Sequence, residues 1–343
     1  MSAAQSRKRE STERRASNHP IQSRSSRDSR DRKLDLAAHA AWLYYIAGNN
    51  QEEIAAKLGV SRQAAQRLVA LAVSEKLIKF RLDYPLAHCI ELAEALRDKF
   101  ELLTCEVVPG GDDSNSLLAS LGNCGAVHLE GYLAMKTPTV IALSSGRTLR
   151  TVIEQIRSMH QPQHKVVSIV GNLSHDGRAG RYEVVMHLCE RTGATAYPVP
   201  TPVVATSIEE RELLQTQKSF AAIQKLVAQA KITFVGIGTV EWNAPLHESG
   251  FINDEEITEL IELGAVGEIA GWAYNQQGIL LKQGTNTKVA GVPLEQPVDR
   301  LTVGLAGGLH KADAIEAALK GKLINGLITD ERVAKKILGW RKH

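Results

Sequence analysis

Near the amino end of the chain, apolar side chains recur at every third or fourth position, which is the spacing of amphipathic helices. A first helix is expected over residues 34–48. A second should follow, because Asn50 and Glu53 are spaced as a capping box and Gly59 supplies the tight turn that ends a helix. Ser61 can cap a third helix. The residues of the first helix that should pack on the other two are Leu36, Ala40, Leu43 and Ala47.

The third helix has two unlike faces. Its inward side is expected to be apolar, through Ala64, Ala65, Leu68, Leu71 and Ala72. Its outward side is rich in Arg and Gln, and two short helices joined at a glycine with such a face are typical of a helix-turn-helix. Arg can bind guanine O6 and N7 in bidentate fashion, and Gln can bind adenine N6 and N7. The residues predicted to contact double-stranded operator DNA are Ser61, Arg62, Gln63, Gln66 and Arg67.

The alternative is an ordinary surface hairpin of helices whose exposed side is polar. Two observations favour DNA binding. Lys76, Lys79 and Arg81 follow the third helix directly, and residues 77–82 alternate like a small strand, as a wing beside a recognition helix would. Residues 1–83 also carry 16 Lys and Arg against 9 Asp and Glu, a net charge of +7 in a chain whose total is only +3. The basic charge therefore lies with the predicted helix-turn-helix.

After about residue 103, short apolar runs alternate with helical segments. Strands are predicted over residues 105–109, 139–143, 165–170, 195–199, 232–237, 268–274, 301–306 and 326–329. Helical stretches between them include residues 148–157, 182–191 and 311–320. Strand then helix, repeated, predicts a doubly wound α/β domain with a mostly parallel sheet. Ligands of such sheets bind at the carboxyl ends of the strands.

The chain of 343 residues is thus expected to contain two folded domains and two accessory segments. Residues 1–33, rich in Ser and Arg, are predicted to form a disordered basic tail. Residues 34–84 form the helix-turn-helix domain. Residues 85–102 form an amphipathic helix that links the domains or pairs with a second subunit. Residues 103–343 form the α/β domain.

Composition narrows the class of protein. No apolar run approaches the roughly 18 to 20 residues that cross a bilayer, and the N-terminus lacks an apolar signal region. We therefore expect a cytoplasmic protein with no membrane partner. The cysteines form no C-x-x-C pair, so neither a zinc site nor a disulfide framework is indicated, and no metal or cofactor is expected. They are Cys89, Cys105, Cys124 and Cys189.

Three loops of the α/β region have candidate binding chemistry. Residues 144–148 read Ser-Ser-Gly-Arg-Thr and open a helix, whose free N–H groups and dipole can hold an anion or a polyol. Residues 236–239 and 306–311 also place glycines near a helix start. Glu268 could bind sugar hydroxyls, and Lys311 could pair with a phosphate or carboxylate. The alternatives are glycines that serve turn geometry alone and surface salt bridges.

Taken together, these segments resemble the SorC family of bacterial sugar-responsive transcriptional regulators. The resemblance extends from about residue 36 to the C-terminus. It is carried by Gln-Glu-Glu-Ile-Ala at 51–55 with Ser61-Arg62, Gly-Arg-Thr-Leu at 146–149, Gly-Ala-Val-Gly-Glu-Ile at 264–269, Ala-Gly-Gly at 306–308 with Lys311-Ala312, and Leu-Ile-Thr-Asp-Glu at 327–331.

The resemblance implies an effector domain similar to the sugar-phosphate isomerase and deaminase fold, a free or phosphorylated sugar or polyol as effector, and a homodimer or homotetramer. It also implies which residues line the effector pocket. These are Ser145, Gly146, Arg147, Thr148, Asn172, Glu268 and Lys311.

An enzyme of this fold with a fused N-terminal domain is the competing hypothesis. The ribose-phosphate isomerases resemble one another in an Asp-Gly-Ala-Asp loop and the deaminases in an Asp-Gly-His segment, whereas residues 238–243 read Gly-Thr-Val-Glu-Trp-Asn. We therefore expect no catalytic residues. The predicted function is a DNA-binding repressor of a carbohydrate or polyol catabolic operon, released by its effector.

Overall fold

The computed structural model describes residues 22–78, 87–111, 113–242 and 244–340. The chain divides into two compact units, Met1–Arg81 and Leu82–His343. None of the helices within the described residues is long and apolar enough to cross a lipid bilayer.

The smaller unit contains three helices, α1 (Gln22–Tyr45), α2 (Gln51–Leu58) and α3 (Arg62–Ser74). The predicted caps are confirmed. Asn50 Oδ1 accepts from the Glu53 N–H at 3.0 Å, and Glu53 Oε2 accepts from the Asn50 N–H at 2.9 Å. Gly59 has φ 64°, and Ser61 Oγ accepts from the Ala64 N–H at 3.2 Å. The core consists of Ala37, Ala40, Ala41, Leu43, Ile54, Ala55, Ala65, Leu68, Val69 and Ala72.

The first helix differs from its prediction. It begins at Gln22, so residues 22–33 of the predicted tail are helical. Hydrophobic periodicity does not detect such an extension, because residues 22–33 are all polar and contain no apolar residues at helical spacing. The helix ends at Tyr45, and the predicted packing residue Ala47 is exposed. The inward side is also shifted, since Leu36 is 41% exposed and Ala37 is buried in its place. Of the predicted wing at residues 77–82, residues 77 and 78 are not in a strand, and residues 79–82 lie outside the described residues.

The larger unit contains ten α-helices, two short 3-10 helices and ten strands among the described residues. The strands are β1 (Thr104–Val108), β2 (Val140–Leu143), β3 (Lys165–Leu173), β4 (Thr195–Pro202), β5 (Ile232–Gly236), β6 (Gly238–Thr239), β7 (Ala265–Ile269), β8 (Trp272–Asn275), β9 (Thr302–Leu305) and β10 (Gly326–Asp330). The helices are α4 (Ala87–Phe100), α5 (Ser114–Leu133), α6 (Arg147–Gln155), α7 (Val185–Thr192), α8 (Ile208–Gln215), α9 (Lys218–Ala228), α10 (Pro245–Glu248), α11 (Asp254–Glu262), α12 (Ala312–Lys320) and α13 (Glu331–Leu338).

Seven strands form one parallel sheet in the order β1-β10-β9-β5-β2-β3-β4. Its two faces carry separate apolar cores. Leu129 of α5, Val152 of α6 and Leu188 of α7 belong to one core. Residues of α4, α9, α12 and α13 belong to the other. The parallel sheet is covered by helices on both faces, so the predicted doubly wound α/β class is confirmed. It could be predicted because strands buried on both faces appear in the sequence as short continuous apolar runs.

One predicted strand was wrong. Residues 268–274 form not one strand but parts of two, the end of β7 and most of β8, which are antiparallel and joined by a turn at Ala270 and Gly271 with φ of 55° and 88°. Such turns usually carry Asn-Gly or Asp-Gly, so Ala-Gly gave no turn signal. Asn286 fixes the hairpin, because its Oδ1 accepts from the Ala273 N–H and its Nδ2 donates to Ala273 O, both at 2.8 Å.

The predicted linker segment contains α4, which is part of the larger unit. Cys89, Leu92 and Leu96 of this helix are buried in one of the two sheet cores. Lys99 Nζ donates to Ile337 O of α13 at 2.8 Å. Residues 79–86, which precede the helix, are outside the described residues, and a role of α4 in subunit pairing stays a prediction.

Asp330, at the end of β10, joins two loops of the larger unit. Its carboxylate is fully buried. Oδ2 accepts from the Gly308 N–H at 2.7 Å, and Oδ1 accepts from the N–H groups of Arg332 at 2.9 Å and Val333 at 3.2 Å. The side chain therefore both caps α13 and holds the loop that follows β9.

Substituting Asp330→Ala should lower the free energy of unfolding by roughly 3 kcal/mol, because it removes a helix cap and leaves buried N–H groups without an acceptor. Asp330→Asn keeps one oxygen and should lose less. The control is Asp313→Ala, which removes an exposed partner of Lys336 and should change stability by less than about 0.5 kcal/mol. Urea unfolding followed by circular dichroism measures all three, and equal losses for Asp330→Ala and Asp313→Ala would contradict the assignment.

Candidate functional site

The polar face of α3 is open to solvent. Ser61, Arg62, Gln63, Gln66 and Arg67 are all exposed, as DNA contact requires. Positions 63, 66 and 67 are three and four residues apart, so their side chains lie on one side of the helix. Arg62 pairs with Glu52 of α2 at 3.2 Å, where both side chains are well exposed. Such a pair is weak, and the guanidinium can exchange it for a phosphate.

A cavity of about 470 Å³ lies at the carboxyl ends of the parallel strands of the larger unit. A volume of this order accommodates a small organic ligand. The structure brings all seven predicted effector residues to its wall: Ser145, Gly146, Arg147, Thr148, Asn172, Glu268 and Lys311. They are far apart in the sequence and converge because parallel strands end at the same edge of the sheet.

The loop between β2 and α6 supplies the strongest anion-binding features of the cavity. Gly146 has φ 135° and no side chain caps α6, so the first N–H groups of this helix have no side-chain acceptor. Arg147 is exposed and makes no ion pair within the described part of the chain. Ser144 Oγ accepts from the Gly236 N–H at 3.0 Å, which ties this loop to the end of β5. Free N–H groups, a helix dipole and a cation together favour a phosphate or carboxylate.

The side chains of Glu268 and Lys311 carry opposite charges that interact, and both are partly buried in the cavity wall. Burial raises the pKa of Glu268, while the Gly271 N–H, 2.9 Å from Oε2, and the charge of Lys311 lower it. Burial likewise lowers the pKa of Lys311, which donates to Ile237 O at 2.8 Å, and Glu268 opposes that effect. Both side chains keep part of their surface open to the cavity. They therefore offer a hydrogen-bond acceptor and a cationic donor to a polar ligand.

Gly238 and Gly307 each leave room for a neighbouring carboxylate side chain. Gly238 pairs with Glu268 across β6 and β7, and a Cβ at Gly238 would collide with the Glu268 carboxylate. Gly307 lies between Asp330 and Leu121, and a Cβ there would be 2.8 Å from an atom of each. The following Gly308 has φ 96° and begins a short 3-10 helix, Leu309–Lys311, without a side-chain cap. These glycines serve the shape of the cavity as well as the turns.

Asn172 lies near the end of β3 and also lines the cavity. Its backbone carbonyl accepts from the Gly180 N–H at 2.7 Å. Its side-chain amide makes no hydrogen bond to another residue in the described ranges, so both its donor and its acceptor are available to a ligand. An amide in this position suits a hydroxyl group, which can both donate and accept.

Sequence reasoning missed several residues of the cavity wall. The most informative is Arg332, an exposed cation in the first turn of α13 that, like Arg147, makes no ion pair with a described residue. It follows the carboxyl end of β10, so the general rule for parallel sheets could have found it. The apolar part of the wall gave no such signal, because it comes from α5 and from several separate loops. It includes Leu117, Leu121, Val170, Val203, Leu246 and Phe251.

Comparison with known proteins places this architecture in a family. Residues 84–339 match the Sugar-bind family model, which describes a sugar-binding domain. The chain is 35% identical over 304 residues to the erythritol catabolism regulatory protein EryD of Brucella abortus (strain 2308), covering 89% of this chain and 96% of that protein. It is 27% identical over 310 residues to the deoxyribonucleoside regulator of Bacillus subtilis (strain 168), covering 89% and 98%.

Solved structures agree on the fold. The full-length sorbitol operon regulator SorC from Klebsiella pneumoniae aligns with a TM-score of 0.70 at 23% identity, covering 89% of this chain and 98% of that one. The sugar-binding match, the relative of near-equal length and the helix-turn-helix unit lead to one conclusion: the chain belongs to the SorC family of sugar-responsive transcriptional regulators.

Proposed function

We propose that this protein is a cytoplasmic repressor of a carbohydrate or polyol catabolic operon and that a phosphorylated sugar or polyol releases it from its operator. The observation that carries the proposal is the position of Arg147 and Arg332, two exposed cations without an ion pair among the described residues, on the wall of a cavity that also presents Glu268. An effector with an anion at one end and hydroxyl groups at the other satisfies both.

The effector is a small polyhydroxylated molecule in this proposal. The regulator of erythritol catabolism, 35% identical, supports a short polyol or its phosphate. The phosphate would occupy the start of α6, where Arg147 and the free N–H groups meet. Asn172, Glu268 and Lys311 would then contact hydroxyl groups. Glu268 serves as an acceptor here rather than as a catalytic base, and binding occurs without turnover.

The DNA-reading surface is α3, and two copies of it are needed for a specific operator. Major grooves on one side of a duplex recur about every 34 to 36 Å, so a homodimer or homotetramer would place recognition helices at that spacing or a multiple of it. Gln63, Gln66 and Arg67 would read bases. Ser61, whose oxygen caps α3, and Arg62 would contact phosphates or nearby bases.

The signal from the cavity would travel through α13 and α4. Arg332 and the capping residue Asp330 lie at the start of α13. The same helix contacts α4 through the Lys99 bond to Ile337 O and through His88 Nε2, which is 3.5 Å from Glu331 Oε1. α4 directly follows the segment that leads to the DNA-binding unit. An effector that prefers one position of α13 would therefore shift the population of operator-competent subunit arrangements.

Arg67→Ala should weaken binding to the specific operator by about 1 to 3 kcal/mol, because a bidentate base contact is lost, and should leave effector binding unchanged. Lys57→Ala is the matched control, since it removes a cation from α2 whose ammonium donates to Asn49 Oδ1 at 2.9 Å. Fluorescence anisotropy with duplexes from the adjoining genomic region measures both. Unchanged operator affinity in Arg67→Ala would remove this residue as a base reader.

Lys311→Met should raise the effector concentration needed to release the operator by roughly 10- to 100-fold, because a hydrogen bond to a charged group contributes about 1.5 to 3 kcal/mol. Methionine keeps most of the side-chain volume. Lys320→Met, at the exposed end of α12 where it pairs with Glu316, is the control. Operator release is titrated with a panel of sugars, polyols and their phosphates. A normal response in Lys311→Met would refute the assigned role.

Arg332→Ala tests the phosphate requirement. The variant should lose response to phosphorylated ligands much more than to their unphosphorylated forms, because the guanidinium interacts mainly with the anion. Lys336→Ala, on the same helix and paired with Asp313 at 2.9 Å, should retain the normal ratio. Isothermal titration of each ligand pair gives the ratio of affinities. Equal losses for both forms would mean that the residue contacts the sugar portion or only supports the fold.

A further inference from the structure

Outside the effector cavity, three side chains of metal-binding types converge between β1 and α5. They are Glu106, Cys124 and His128, and one ligand atom of each lies within 4.8 Å of the other two. His128 Nε2 is 3.4 Å from Glu106 Oε1. None of the three lines the effector cavity. The larger unit thus contains a group of possible metal ligands that is separate from the effector cavity.

The secondary structure explains why these side chains meet. Cys124 and His128 are four residues apart on α5, so they lie on one face of the helix. Side chains alternate along β1, which places Cys105 and Val107 in the core shared with α4. Glu106 therefore points to the opposite side of the strand, where α5 packs. The helix contributes two ligands and the strand contributes the third.

We propose that Glu106, Cys124 and His128 bind one Zn²⁺ ion. A thiolate, an imidazole and a carboxylate are the ligands that zinc takes in proteins, at about 2.0 to 2.3 Å, with tetrahedral geometry. Donor atoms in such a site are roughly 3.5 Å apart, so the side chains need to close by only about 1 Å. Mg²⁺ and Ca²⁺ prefer oxygen ligands and fit this donor set poorly.

The site is partly open. The side chains of His128 and Glu106 are 29% and 49% exposed, so an ion enters from solvent and a water completes its coordination. Cys124 binds as the thiolate and releases its proton to solvent. The three ligands carry two negative charges, which the divalent ion neutralises.

The bound ion would fasten an edge strand to a helix that serves the cavity. β1 is the last strand at one end of the sheet and pairs only with β10 among the described strands. The amino-terminal part of α5 contributes Ser114, Leu117 and Leu121 to the cavity wall. Zinc binding therefore stabilises the packing of β1 against α5, the helix whose first turns line the cavity. Neither the effector nor DNA is required for this role.

Co²⁺ provides the sharpest test, because it replaces zinc and reports its ligands by absorption. We expect the full-length chain, purified without a histidine tag, to bind one equivalent of Co²⁺. The bound ion should show a sulfur-to-cobalt charge-transfer band and the intense visible bands of tetrahedral geometry, and one equivalent of Zn²⁺ should displace it. Zn²⁺ should also raise the melting temperature.

Three variants and one control complete the experiment. Cys124→Ser should abolish the charge-transfer band. His128→Gln and Glu106→Gln should each weaken Co²⁺ binding by roughly a hundredfold or more, since loss of mere outer-shell partners already weakens metal sites by about 10- to 100-fold. Glu106 is on the surface, so its variant should fold even if Cys124→Ser does not.

His187→Gln is the matched control, because it removes a half-exposed histidine of α7 that lies 3.6 Å from Glu190 and belongs to no group of three metal-binding side chains among the described residues. It should bind Co²⁺ normally. The proposal would be overturned if the unmodified chain showed no sulfur-to-cobalt charge-transfer band with one equivalent of Co²⁺. It would also be overturned by a site that survives both Glu106→Gln and His128→Gln with unchanged affinity.

Discussion

The larger unit depends on one geometric constraint, the parallel direction of its seven main strands. Because β2, β3, β5, β9 and β10 all end at one edge of the sheet, five loops that are remote in the sequence must share a small volume. Asp330 connects two of these loops. One oxygen of its buried carboxylate accepts a hydrogen bond from the loop after β9, and the other accepts one from the start of α13. A single side chain therefore holds two walls of the cavity together. The side chains of Arg147, Arg332 and Asn172 on the cavity wall make no ion pair or side-chain hydrogen bond with a described residue, so they can bind a ligand.

Much of this could be predicted from the sequence, for identifiable reasons. The capping box at Asn50 and Glu53 and the turn at Gly59 are local, so the boundaries of α2 followed from a few adjacent residues. The parallel sheet was predictable because strands buried on both faces appear as continuous apolar runs. The seven predicted residues of the cavity were recognised from loops at strand ends and from a family resemblance, and they do share one cavity. Their contacts with a ligand remain proposals.

Most of the features that the sequence did not reveal depend on contacts between residues far apart in the chain, or lie in stretches where apolar and polar residues do not alternate. The start of α1 at Gln22 could not be read from an apolar stripe, since the sequence of residues 22–33 contains no apolar residue. The hairpin of β7 and β8 was predicted as one strand, because Ala270 takes a positive φ without the usual Asn or Asp. The convergence of Glu106 with Cys124 and His128 requires a strand and a helix to pack in a particular register. Spacing rules that look for paired cysteines do not capture it.

The edge of the main sheet formed by β4 limits how this protein can associate with other molecules. β4, the outermost strand on that side, reads Thr-Ala-Tyr-Pro-Val-Pro-Thr-Pro. Proline has no N–H to offer, and three of them in eight residues leave this border unable to pair fully with a strand from another molecule. Fibril-like stacking of sheets through this side is thereby blocked. Subunits that associate on this side of the sheet would therefore do so through helices and loops rather than by extending the sheet.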